Sequence, residues 1–392
     1  MIVEKPASAE PTTSAYLDYA AATPLDPEVL EAMTPYLTGR FYNPSAPYAL
    51  ARNVRADLEA ARATVARCIG ARPGNVTFTA GATEANNLAF AATEGHVVTD
   101  AIEHESVLAC AEARSHAIVG VGPDGRVDPE DVLSAVTPAT QLVSVSLANG
   151  EIGCVQPVRE LARMMAGLRE KRLAAGDLTP LYLHVDASQA TSCLTVDVGS
   201  LGCDLLTLSA AKIGGPKQVG LLWASDDVVL RPLVLGGGQE GGLRSGTENV
   251  AGIVGFARAL ELACGRRREE SRRLSALRGR LQRGLLSEFP WALVSGPKKE
   301  KFRLPGLLHV SFPGLEARRL VLGLEREGVS VGTGSACAAS KMRVSHVLRA
   351  IGMPEEAAAG SLRMTLGRPS AQAEVDYAVA AVTRVVRAEM SR

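Results

Sequence analysis

Two lysines, Lys212 and Lys217, stand in the small-residue stretch SAAKIGGPKQVG, between the apolar runs DLLTL and VGLLW. An ammonium group there is either a solvated loop charge or an amine placed to react. Other reactive types sit at the ends of neighbouring apolar runs. LYLHVD ends in Asp186, with Gln189 three residues on; QLVSVSL leads to Asn149; GHVVTDAIE delivers His104; and DLLTLS ends in Ser209. An acid at the end of a buried strand needs a cationic partner or a strong donor, which a protonated ring nitrogen of a cofactor or a structural arginine would supply. Successive strand ends that each offer a donor, an acceptor or a ring point to one shared ligand site.

Three further stretches could take part. Gly81, Ala82 and Thr83 open a helical pattern, where bare amides and a hydroxyl suit a phosphate and where Thr83 also suits a plain N-cap. GGGQEGGLRSGTEN carries Arg244 and Thr247 in a glycine-rich frame, which fits backbone approach to a ligand or a flexible connection. GTGSACAAS presents Cys337 with nothing bulky to bury against, so its thiol is a candidate nucleophile. The other six cysteines (68, 110, 154, 193, 203 and 264) lie in helical or strand patterns and read as small core residues.

The elements that must position these groups alternate between strand and helix over the first two thirds of the chain. That alternation predicts a mostly parallel sheet covered on both faces, with ligands at the carboxyl ends of its strands. One long helical pattern follows, from about residue 250 to 289, with its basic run on a solvent face, and then LLHVSF, ARRLVLGLE, SLRMTL and a closing helix from about residue 371. The predicted organisation is a flexible tail (1–15), a large domain (16–255) and a small α+β domain (256–392). A mobile segment around Cys337 (about 330–342) is expected within the small domain.

With 392 residues, 46% of them apolar, the chain can bury a full core. Its 42 basic and 42 acidic residues cancel, and nothing in that balance advertises nucleic acid or membrane as a partner. The first fifteen residues lack the apolar core of a signal peptide and no run is long enough to span a bilayer. Scattered cysteines without a CxxC exclude a zinc ribbon, so no metal is expected, and a reducing cytoplasm is the expected compartment.

Nine segments stand in the order expected of cysteine desulfurases: YLDYAAATPLDP, FTAGATEANNLA, IEHESV, ANGEIGCVQPV, HVDASQA, SAAKIGGPK, GGGQEGGLRSGTEN, GTGSACAAS and SLRMTLGR. From about residue 16 to its C-terminus the chain resembles the NifS/IscS type of that family. The resemblance implies fold type I of the pyridoxal 5'-phosphate (PLP) enzymes, an α/β architecture with a mostly parallel seven-stranded sheet and a smaller α+β domain. It implies conversion of L-cysteine to L-alanine, a homodimer, and a protein sulfur acceptor such as a scaffold or thiolation protein. Lys212 matches the lysine that carries PLP, and Lys217 its motif companion. His104 matches the histidine over the pyridine ring, and Asp186 the carboxylate at the ring nitrogen. Gln189 and Asn149 match residues near the phenolic oxygen. Ala82, Thr83 and Ser209 match the phosphate-binding positions, and Thr247 one that reaches across from a partner subunit. Arg363 matches the clamp on the substrate carboxylate and Cys337 the cysteine that becomes the persulfide. The GSACAAS context resembles the subgroup that hands sulfur directly to iron–sulfur scaffolds or tRNA thiolation proteins.

The pattern is broken at several positions. Ala211 replaces a histidine that contacts the phosphate in relatives, Gly214 a common aromatic, Gly241 a second basic residue and Gly150 a frequent asparagine. These departures imply a looser phosphate pocket. Selenocysteine lyase, a PLP transaminase of the same fold, and a silent paralogue that scaffolds sulfur transfer are the rival readings.

Overall fold

The computed structural model describes residues 14–333 and 345–392. The strands are β1 (Ala15–Leu17), β2 (Val76–Thr79), β3 (His96–Asp100), β4 (His116–Val119), β5 (Thr140–Ser144), β6 (Tyr182–Asp186), β7 (Leu205–Ser209), β8 (Gly220–Ala224), β9 (Leu293–Val294), β10 (Leu307–Ser311), β11 (Val329–Val331) and β12 (Ser361–Thr365). Among the helices are α1 (Pro27–Leu37), α2 (Ala49–Cys68), α3 (Ala82–Ala91), α4 (Glu105–Glu112), α5 (Pro129–Ser134), α6 (Val158–Ala174), α7 (Val198–Leu201), α8 (Val250–Glu288), α9 (Ala317–Arg326), α10 (His346–Ala350), α11 (Glu355–Ala359) and α12 (Gln372–Met390).

Seven strands form the main sheet in the order β2-β8-β7-β6-β5-β3-β4. β7, β6, β5, β3 and β4 run parallel; β8 runs antiparallel to both β7 and β2. Every residue of β7 and β8 is buried, as a sheet covered on both faces requires. One face packs on Leu58, Val65, Leu161, Met165 and Phe256; the other packs on Leu88, Phe90, Leu142, Leu205 and Leu222. This is the mostly parallel seven-stranded architecture expected from the sequence.

A second core lies around the antiparallel sheet β12-β10-β9 and holds Leu281, Phe312, Leu320, Leu362 and Val382. Two features cross the boundaries that sequence pattern suggests. β1 pairs in parallel with β11, and Ala15 and Leu17 lie in the second core. α8 gives Ile253, Phe256 and Leu260 to the first core and Leu274, Leu281 and Leu285 to the second, so residue 255 falls inside one continuous helix. Its basic run is not simply solvated: Arg266 pairs with Asp26 and Glu28 ahead of and within α1, and Arg273 pairs with Glu270.

Candidate active site

The carboxyl ends of β3, β5, β6 and β7 open onto a cavity of about 330 Å³, to which Lys212, His104, Asp186, Asn149, Ser209 and Arg363 all contribute. A second cavity of about 350 Å³ also reaches Lys212 and lies where the two cores meet, with Leu274, Leu304 and Leu307 as well as Asp26, Arg266 and Arg368 in its wall.

The two lysines are not equivalent. Lys217 is exposed beside Gln218, whose φ is +61°. Lys212 is half-buried, and its Nζ donates to the carbonyls of Ala20 (2.8 Å) and Ala21 (2.7 Å). Burial, and then the positive charge of Arg363, hold its pKa below that of an ordinary lysine. A larger share of neutral, nucleophilic amine follows.

His104 is the N-cap residue of α4, and its Nδ1 accepts from the Ser106 amide at 3.1 Å. The neutral ring therefore carries its proton on Nε2, free to face the cavity. The ring is open to the cavity, yet the walls displace enough water to lower its pKa; desolvation outweighs the pull of Asp186. Ser106 Oγ lies 2.9 Å from His104 Nδ1, Asn86 Nδ2 donates to that Oγ at 2.9 Å, and Asn86 Nδ2 also donates to Asp186 Oδ2 at 2.9 Å. One fully buried amide thus links the histidine to the acid. Asp186 Oδ1 accepts from the Ser188 amide at 2.9 Å. Behind it His184 is clamped between Ser144 Oγ (2.8 Å) and Thr207 Oγ1 (3.0 Å), with burial pushing it down to about 4, so it is neutral.

Arg363 comes from β12 in the other sheet. Its guanidinium donates to the Gly150 carbonyl (3.2 Å) and to Asp18 Oδ1 (2.7 Å), while its buried Nε has no partner among the described residues. Asn149 is spent on its own turn: Nδ2 donates to the Ile102 carbonyl at 2.8 Å, and Oδ1 accepts from the Glu151 and Ile152 amides. Gln189 donates to the Ala20 carbonyl at 3.1 Å and lies across Gly150, where an added Cβ would come within 2.8 Å of its side chain. That contact accounts for glycine in place of the frequent asparagine.

α3 starts at Ala82 and Thr83 with no side-chain cap, so its first amides face the cavity uncovered. β8 fixes this terminus: a Cβ at Gly220 would sit 2.7 Å from Gly81 Cα. The Ala211 side chain lines the same wall, and its carbonyl accepts from Thr23 N (3.2 Å) and Oγ1 (2.9 Å). Gly214 has φ +78°, a conformation an aromatic side chain would adopt only under strain. Gly241 has φ +66° and open space around it. Thr247 is exposed and lines neither cavity of its own chain. Cys337, with most of the segment expected around it, lies outside the described residues.

Sequence pattern alone missed Asp18, Asn86, Ser106, Glu103 and His346 as parts of this site. Asn86 had a readable signal, an amide on the buried face of a helix; the Asp18–Arg363 pair spans 345 residues and has none.

The family model for class-V aminotransferases matches residues 15–378. A cysteine desulfurase IscS of Clostridium botulinum is 39% identical over 390 residues, covering 96% of each chain. Among solved structures, a NifS-like protein superposes with TM-score 0.85 at 32% identity, over 95% of this chain and 99% of its own. SspA in complex with cysteine superposes with TM-score 0.75 at 30% identity, over 90% and 99%.

Proposed function

The chain belongs to the class-V aminotransferase family as a PLP-dependent cysteine desulfurase, and from that premise we propose which residues do the work. The observation that carries the assignment is the convergence of Lys212, His104, Asp186 and Arg363 on one cavity from four separate elements. The donor set fits the cofactor. An uncapped helix terminus suits a phosphate, a fixed carboxylate suits a pyridinium, and a depressed amine suits an aldehyde.

When bound, PLP supplies the electron sink that labilises bonds to the substrate's α-carbon. Lys212 would hold the group, and its Nζ would leave the Ala20 and Ala21 carbonyls to do so. Ala82, Thr83 and Ser209 would hold the phosphate, and Asp186, oriented by Asn86 and Ser188, would hold the ring nitrogen. Asn149 and Gln189 would line the ring's side of the cavity, and His104 would keep a proton on Nε2 for delivery. Arg363 binds the carboxylate of L-cysteine, for which its planar fork is matched. The thiolate of Cys337 attacks the substrate sulfur; the carbon–sulfur bond breaks, the carbon takes a proton to give L-alanine, and Cys337 keeps the sulfur as a persulfide.

SspA was solved with cysteine, which supports the same substrate here. Thr247 would serve a partner's phosphate site in a homodimer, and its exposure supports that arrangement. A protein acceptor, an iron–sulfur scaffold or a tRNA thiolation protein, takes the sulfur. Among the described residues no helix is long and apolar enough to cross a membrane, and the free cysteines support work in a reducing cytoplasm.

Incubation with PLP and L-cysteine should yield L-alanine and a persulfide at Cys337 by mass spectrometry. Lys212→Ala should lower turnover about 10³-fold or more, as for loss of a covalent catalytic group. Sulfide release that Cys337→Ala leaves unchanged would overturn the persulfide step.

A further inference from the structure

β3 ends in Asp100, and the turn after it brings Glu103 next to His104. Both carboxyls are out of water: Asp100 is fully buried and Glu103 is 2% exposed, though it lines the cavity. Glu103 Oε1 accepts from the Ser146 amide and Oε2 from the Ser146 hydroxyl at 2.5 Å. Asp100 Oδ1 accepts from the Ile102 amide at 2.9 Å, whereas Oδ2 finds no donor among the described residues. The side chain facing Asp100 is Glu103.

Besides Cys154, whose thiol is pushed up by burial and then by Asp100, the charged and titratable groups that bear on the pair come from three other places. Asp186 approaches from β6, and His346 from α10, where its Nε2 donates to the Glu103 main-chain carbonyl at 3.0 Å. His104 and Glu105 follow in the same turn, and Glu105 Oε1 lies 3.8 Å from His346 Nδ1. Among the described residues, no lysine or arginine pairs with either carboxyl. Two adjacent carboxylates in so dry a place repel each other and lack hydration. One proton between them answers both problems, since it removes a charge and its O–H supplies the donor that Asp100 Oδ2 lacks.

We propose that Asp100 and Glu103 share a single proton and that this acid–carboxylate pair is a positioning element, holding the Ser146 turn and His346 against His104. Burial, then the neighbouring negative charge of Asp100, push Glu103 well above the usual carboxylate range, and burial raises Asp100 to about 6.

The test uses the full-length resting protein without L-cysteine, so its outcome does not depend on turnover. The infrared spectrum at neutral pH should contain a protonated-carboxyl band that is lost in Glu103→Gln and shifted in Asp100→Asn. A spectrum in which Glu103→Gln loses no such band overturns the proposal. Where that variant does not fold, Asp100→Asn decides: an unshifted band means nothing is shared. Thermal unfolding gives a second readout. A raised folded-state pKa stabilises below the unfolded carboxyl range and loses that contribution as pH climbs, so wild type should lose Tm between about pH 5 and 9 faster than Glu103→Gln. Parallel slopes overturn the proposal as well.

Discussion

Two cavities of nearly equal size meet at Lys212, and only one is equipped for chemistry. The first, about 330 Å³, is floored by strand ends, where the chain must leave the sheet and can turn a side chain toward a ligand. The second, about 350 Å³, is a seam where Leu304 and Leu307 of one core meet Leu274 and Leu366 of the other, and of its charged residues Arg266 and Arg368 are both already paired with Asp26. Volume therefore says little about which is the site. What differs is the supply of unspent polar atoms: the uncapped α3 terminus, the Nε2 of His104 and the Nε of Arg363 all border the smaller cavity.

Arginine substitutions give the largest contrast. Arg363→Ala should lower kcat/KM for L-cysteine by roughly 10–150-fold, the equivalent of a charged hydrogen bond at about 1.5–3 kcal/mol, mostly through KM. Arg368→Ala, at the rim of the seam cavity and paired with Asp26, should change it less than about threefold, as exposed pairs do. Equal losses in steady-state kinetics would erase the distinction.

Ala211→His would add a phosphate contact to the strand-end cavity alone. Cofactor retention after dialysis should improve about tenfold or more, in proportion to one charged hydrogen bond. Retention unchanged from wild type would show that the pocket is not looser at this wall.

The third effect is a displacement in pH. A depressed Lys212 pKa means the neutral amine is available at lower pH than for a free lysine, and Arg363 contributes to that depression. The rate of cofactor loading in Arg363→Ala, followed by absorbance, should therefore shift to higher pH. Movement to lower pH, or none, would remove Arg363 from the account.

Filling the seam should matter least. Leu262→Phe should move Tm by a few degrees at most and kcat/KM by less than about twofold, since overpacking costs stability and not chemistry. A large fall in kcat/KM would make the seam part of the substrate's route.

Much of this was legible because local pattern carries it. The alternation of strands and helices and the acid ending β6 follow from burial at strand ends, whereas the unequal standing of the two lysines comes only with the family resemblance. What was not legible depends on distant partners. β1 is three residues long and earns its place by pairing with β11 in the other core, with no local signal. Asn86 shows in the sequence only as an amide on the buried face of a helix, and its link between Asp186 and Ser106 needs the fold. Asp100 and Glu103 read as loop acids, because nothing in VVTDAIEH says that both side chains point away from solvent. The departures at Gly150 and Gly214 became intelligible only with their neighbours, the Gln189 side chain and a left-handed turn.

The 39-residue α8, about 58 Å long at 1.5 Å per residue, bears on how this protein can be dissected. A fragment stopping before it keeps all seven strands yet strips Ile253, Phe256 and Leu260 from their packing. A fragment starting after it robs the other half of Leu274, Leu281 and Leu285. A cut between Leu260 and Leu274 would keep each run with its own core but would leave β1, whose Ala15 and Leu17 belong to the second core, on the first piece, so cleavage there should not release two intact halves.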